Sequence, residues 1–138
     1  MNQISGGCKC GRVSFSAEGP ELQVVSCHCG MCRSLTGAAF STYIVVREGQ
    51  FRITEGSEKL ASYEVTGRTS RHFCPACGTS LFNSNPETYS GLRMLYLGTV
   101  AGNERFVPRI NIFCESQLPW VTIPELSKSF QRTPGRDA

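Results

Sequence analysis

Short runs in which apolar and polar residues alternate, broken at close intervals by turn-forming pairs, dominate this chain and predict strands far more often than helices. In Arg12–Ala17, Val13 and Phe15 alternate with polar neighbours, the period of a strand with one buried face. Comparable stretches are Leu22–Cys27, Ala39–Val46, Phe51–Thr54, Lys59–Val65, Ser70–Phe73, Ser80–Asn83, Leu92–Val100 and Arg109–Cys114. Gly19-Pro20, Glu48-Gly49, Glu55-Gly56, Thr66-Gly67, Asn85-Pro86 and Gly102-Asn103 punctuate them. Only Gly30–Thr36 reads as a helix, a short one stopped by Gly37, which can adopt the left-handed conformation at a helix end. The predicted fold class is therefore mostly β with one short helix. Phe40, Tyr43, Phe73, Phe82, Tyr96 and Trp120 are the aromatic residues expected to fill its core.

Length fits one domain, since 138 residues can bury a core but fall short of two ordinary domains. The expected boundaries are 3–126 for the domain and 127–138 for a flexible tail, because few apolar residues follow Phe130 and Thr133-Pro134-Gly135 breaks any element. A net charge of +3, with basic residues scattered and no aromatic interleaving, gives nucleic-acid binding little support. The first seven residues carry no apolar leader and no window approaches the ~20 apolar residues of a membrane span. A soluble, cytoplasmic protein is expected. The oligomeric state is not legible.

Cysteine placement changes the picture. Seven of the eight cysteines fall into Cys8-x-Cys10, Cys27-x-Cys29-x-x-Cys32 and Cys74-x-x-Cys77. In a reducing compartment such clusters read as metal ligands before disulfides. Cys-x-Cys on an extended segment points both thiols to one face, and Cys74-Pro75-Ala76-Cys77-Gly78 supplies the Pro and Gly of a tight knuckle. Four plus three is the natural partition of seven sulfurs, because a structural zinc takes four protein ligands and a catalytic zinc three. Cys8, Cys10, Cys74 and Cys77 are assigned to a closed zinc site, and Cys27, Cys29 and Cys32 to an open one. Two zinc ions are expected. The alternative is a second closed site, completed by Cys114, His28 or His72. Three thiolates damp the Lewis acidity of zinc, so an open site of this kind favours chemistry at a soft sulfur partner over hydrolysis. Arg33, directly after the triad, is a candidate contact for a substrate carboxylate, with Arg71 a weaker one.

Three ordered motifs carry a resemblance. Gly6-Gly7-Cys8-Lys9-Cys10-Gly11-Arg12-Val13-Ser14-Phe15 is the first, and Cys27-His28-Cys29-Gly30-Met31-Cys32-Arg33 with Thr36-Gly37-Ala38-Ala39-Phe40 the second. With Phe73-Cys74-Pro75-Ala76-Cys77-Gly78-Thr79-Ser80-Leu81, and Pro119-Trp120 as a C-terminal mark, the chain closely resembles the glutathione-dependent formaldehyde-activating enzyme family. The resemblance implies a β-tent of small antiparallel sheets, a structural zinc on Cys8, Cys10, Cys74 and Cys77, and a catalytic zinc on Cys27, Cys29 and Cys32. It further implies a carbon-sulfur lyase that joins glutathione, or a similar small thiol, to formaldehyde or another small aldehyde. Centromere protein V resembles the same family, which leaves a non-catalytic binding or scaffold module with two structural zincs as the competing expectation.

Overall fold

The structure, a computed structural model, describes residues 3–134. Eleven strands follow in chain order: β1 (Gln3–Gly7), β2 (Ser14–Glu18), β3 (Gln23–Cys27), β4 (Ser41–Arg47), β5 (Phe51–Glu55), β6 (Ala61–Glu64), β7 (Ser70–Phe73), β8 (Ser80–Ser84), β9 (Leu92–Tyr96), β10 (Ile110–Ile112) and β11 (Lys128–Ser129). The α-helix α1 (Gly30–Thr36), the only one among the described residues, has the expected bounds, and Gly37 closes it at φ 69° with its N–H on the Arg33 carbonyl.

The strands form two sheets, β1-β2-β5 and β11-β10-β3-β4-β9-β8-β7-β6. Pairing is antiparallel except at β10, which runs parallel to both β3 and β11. Strand alternation decides what each face does. On the larger sheet Val24, Ile44, Val46, Leu81 and Leu95 point into the core, where they meet Ile4, Val13, Phe15 and Ala17 of the smaller sheet. Phe51 bridges the two layers, with ring centroids 5.6 Å from Phe15 and 4.8 Å from Phe82. The opposite face of the larger sheet carries the cleft described below.

The smaller sheet must approach the larger closely at one point. Gly6 forms an isolated bridge with Val100, and Ala101 donates to the Ser5 carbonyl. A Cβ on Gly6 would sit 2.2 Å from the Thr99 carbonyl oxygen, a rigid backbone atom. Gly6→Ala is therefore expected to destabilise the fold by about 1–3 kcal/mol, the usual cost of forcing atoms into a packed contact. Urea unfolding measures it, and an unchanged midpoint would contradict the close approach.

Several expectations are corrected. The stretch Leu92–Val100 is not one strand, because the backbone leaves β9 through a 3-10 turn at Leu97–Thr99 that delivers Val100 to Gly6. Arg109–Cys114 likewise shortens to Ile110–Ile112, ending where Phe113 takes a left-handed conformation. Strands β1 and β11 lack an apolar alternation long enough to be noticed in the sequence. Tyr43, Phe82 and Tyr96 are buried and Phe40 and Phe73 half-buried, but Trp120 is 72% exposed. It lies on an irregular segment that turns Val121 inward instead.

The expected tail behaves differently over its first half. Lys128 N–H donates to the Arg109 carbonyl, Phe130 N–H to that of Asn111, and Cys114 N–H back to that of Phe130. Buried Asn111 adds a side-chain bond to Ser127 Oγ at 2.8 Å. Backbone pairing of this kind needs no hydrophobic period, which is why composition alone suggested a frayed end. Residues 135–138 of the expected tail lie outside the described residues.

Candidate metal centres and cleft

The four-cysteine group is built by two loops of similar design. In the β1–β2 connection, Cys8 N–H donates to the Val13 carbonyl and Gly11 N–H to that of Cys8. In the β7–β8 connection, Cys74 N–H donates to the Thr79 carbonyl and Gly78 N–H to that of Cys74. Gly11 and Gly78 hold φ of 83° and 81°, a region that L side chains rarely enter. Lys9 N–H donates to Thr79 Oγ1 at 3.1 Å and ties one loop to the other.

The Sγ atoms of Cys8, Cys10, Cys74 and Cys77 lie within 4.8 Å of one another, with Cys8–Cys10 at 3.6 Å and Cys10–Cys74 at 3.7 Å. A tetrahedron of Zn–S bonds of about 2.3 Å has edges of about 3.8 Å, so the donor set fits that ion. Backbone and side-chain hydrogen bonds from Arg12 lower the pKa of Cys10. The Thr79 hydroxyl, 3.2 Å from Cys77 Sγ, helps bring that thiol down to about 5. Both arrangements favour the thiolate that a metal requires. Because one loop belongs to the smaller sheet and the other to the larger, the group joins the two layers.

The three-cysteine group sits at the far end of β3. Cys27 is its last residue, paired with Ser41 and Ile112. Cys29 caps α1, its Sγ accepting from Cys32 N–H at 3.3 Å. Cys32, in the first turn of the helix, completes a set whose Sγ atoms also lie within 4.8 Å. Cys27 and Cys29 are 3.5 Å apart at sulfur. The hydrogen bond from Cys27 lowers the pKa of the Cys29 thiol and raises that of Cys27 itself, which makes Cys29 the readiest of the three to lose its proton.

A buried relay backs the triad. Tyr96 donates its hydroxyl to Asn83 Oδ1 at 2.9 Å, and Asn83 Nδ2 donates to the Tyr43 oxygen at 3.4 Å. The remaining Tyr43 proton is thereby directed at Cys32 Sγ, 3.2 Å away. Burial raises the Tyr43 pKa, so the hydroxyl keeps its proton beside Cys32. Sequence reasoning placed Tyr43 in the core and missed this second role, for which a polar tip on a buried ring was the only signal.

The remaining sequence candidates fall elsewhere. Among the described residues, Cys114, His28 and His72 do not join either sulfur group. His28 is 1% exposed and packs on Phe40 with centroids 5.1 Å apart. His72 stacks on Phe82 and pairs with Ser84 Oγ at 2.9 Å. Cys114 begins a 3-10 turn at Cys114–Ser116. Arg33 directs Nη1 to the backbone carbonyls of His28 and Ser116, at 2.6 and 2.7 Å, which ties the helix to the turn that follows β10. Arg71 spans Ser80 and the Phe73 ring.

The triad opens onto a cleft of about 800 Å³. Met31, Ile112 and Phe113 stand beside the sulfurs, and Arg132, Thr133 and Pro134 of the docked C-terminal segment form part of its wall. Phe113 holds φ of 55°, unusual for an aromatic residue, with its N–H on the Arg132 carbonyl.

Residues 3–116 match the family described as glutathione-dependent formaldehyde-activating enzyme. The chain belongs to that family. The matched span contains all seven clustered cysteines and Tyr43, while Arg132, Thr133 and Pro134 of the cleft wall lie beyond it. A crystal structure of a Rhodobacter sphaeroides protein, a structural-genomics target, is similar to this member of the formaldehyde-activating family. The TM-score is 0.60 and the identity 21%, over 71% of this chain and 88% of that one, a likeness of fold. No helix among the described residues is long and apolar enough to cross a membrane.

Proposed function

We propose that this chain is a zinc-dependent carbon-sulfur lyase of the S-(hydroxymethyl)glutathione synthase type. It would join a small thiol, glutathione or similar, to formaldehyde or another small aldehyde at Cys27, Cys29 and Cys32. The observation that carries the reading is a thiol triad at the floor of a cleft, with no fourth Cys, His, Asp or Glu in its group among the described residues. Three protein ligands are the hallmark of catalytic zinc; bound there, the ion would supply a Lewis-acid position that lowers the pKa of an arriving thiol. Cys8, Cys10, Cys74 and Cys77 would hold a second, structural zinc. A cytoplasmic setting, where thiols stay reduced, suits both.

The chain's residues divide the remaining work. Three cysteine thiolates outweigh a divalent charge and bias the site toward sulfur partners over hydroxide. Tyr43 holds Cys32 in place and spreads its charge, an outer contact of the kind that tunes metal sites. Met31, Ile112 and Phe113 narrow water access to the reacting atoms. In the reaction the thiol S–H bond and the carbonyl π bond break, while S–C and O–H bonds form. The carbonyl electron pair ends on oxygen, which takes up the proton the thiol gave.

Exchange NMR of glutathione and formaldehyde tests this directly, with protein carrying two zinc ions per chain. Faster exchange between free and hydroxymethylated glutathione than in buffer is the expected result. With both ions bound, a rate equal to buffer for this pair and for longer-chain thiols and aldehydes alike would reject the activity and leave a scaffold module with two structural zincs.

A further inference from the structure

We infer that one of the two substrates carries an apolar chain of several carbons beside its reacting atom, laid along a carbon-lined strip that leads away from Cys27. The inference rests on the function proposed above. Strand alternation puts Cys27 and Val25 on the same face of β3. Register then sets Val25 between Tyr43 and Ile110, and Val45 opposite Met94 one layer further on. All line the cleft that contains the triad, and Val25, Val45, Met94 and Ile110 are half-buried, since the core lies on the other face of the sheet. From Cys27 to the polar Gln23 at the far end, four strand steps span about 13 Å.

Formaldehyde has one carbon and would leave this strip untouched. Along Val25, Val45, Met94 and Ile110 a peptide such as glutathione would lay its amides and carboxylates against carbon, whereas Thr66, Arg68, Thr69, Asn85 and Arg132 elsewhere in the cleft's lining could pair with such groups. The lining residues include no acidic group, and Arg68 and Arg132 are the charged ones, so an apolar chain meets no buried charge along the strip. Because the strip starts at the sulfurs, its occupant must be attached to an atom that reacts there. That atom is the thiol sulfur or the aldehyde carbon, and both leave the same chemistry in the strip. The reaction keeps the balance given above, as RSH plus R′CHO gives RS–CH(OH)R′.

Two series separate the sources. In the first, calorimetry measures binding of 2-mercaptoethanol, 1-butanethiol and 1-hexanethiol to zinc-loaded protein. In the second, a fixed thiol is combined with aldehydes from formaldehyde to hexanal and kcat/KM is followed. Affinity or kcat/KM rising roughly threefold to fourfold per methylene, the scale of burying CH2, is expected in one series and identifies the substrate that bears the chain. Val45→Asn, or Met94→Gln should the first variant melt early, is expected to flatten that slope. A flat response in both series overturns the inference, as does a slope that neither variant alters. Absence of turnover with every aldehyde would instead reject the proposed function, while the thiol-binding slope still decides whether the strip holds an apolar chain.

Discussion

Cys29→Ser is expected to lower the zinc content of the purified protein from two ions per chain to one and to remove the joining activity, with the cooperative melt retained. Cys29 is the half-exposed member of the triad, its sulfur accepts from both Cys27 and the Cys32 backbone, and those hydrogen bonds lower its pKa. A serine hydroxyl at the same position would remain protonated, leaving two thiolates where three are needed and a hard oxygen where soft sulfur is preferred. Outer contacts alone typically change affinity or activity 10–100-fold, so loss of a direct ligand should exceed about 100-fold. The fold should survive because the triad lies at one end of β3 and α1, apart from the larger of the two core clusters. Metal analysis beside a thermal melt is the measurement. If Cys29→Ser kept two ions and full activity, the triad could not be the reacting site.

Both sulfur groups were legible before the structure because local geometry creates them. Cys-x-Cys and Cys-x-x-Cys each bring two thiols together within a single loop, so the information sits in a few adjacent residues. The four-and-three partition was legible for the same reason, by counting. Most strands were too, since Val13, Phe15, Val24, Ile44 and Val46 are buried on the faces that alternation assigns. Long-range pairing was not. That β10 runs parallel to β3, and that Lys128–Ser129 adds itself to β10, depends on backbone hydrogen bonds between segments far apart in sequence and of no marked composition. The partners of Arg33 were not legible on similar grounds, because its acceptors are main-chain carbonyls, one of them 83 positions away. Tyr43 shows the converse: its ring announces a core residue, while its hydroxyl is aimed at Cys32 by Asn83 and Tyr96 on two other strands.

Cys74→Ser should have the larger effect on stability, abolishing cooperative unfolding rather than merely lowering its midpoint. Cys74 is 0% exposed, belongs to the core cluster and contributes its sulfur to the group that joins the two sheets. Structural zinc sites in small domains contribute apparent binding free energies of about 10–16 kcal/mol at neutral pH. Whole domains are stable by only about 5–15 kcal/mol, so a site of that kind can account for the entire margin. Cys10 and Cys77 are exposed, so serine there would remove one ligand while its hydroxyl stays in water, whereas at Cys74 the hydroxyl would also be buried in the core. The expected order of damage is therefore Cys74→Ser well above Cys10→Ser or Cys77→Ser. Circular-dichroism melts with stoichiometric zinc measure this order, and chelation of the unaltered protein should reproduce the Cys74→Ser profile. A Cys74→Ser protein that lost one ion yet melted within a few degrees of the parent would mean that apolar packing between the sheets, led by Phe51 against Phe15 and Phe82, holds the layers together without metal.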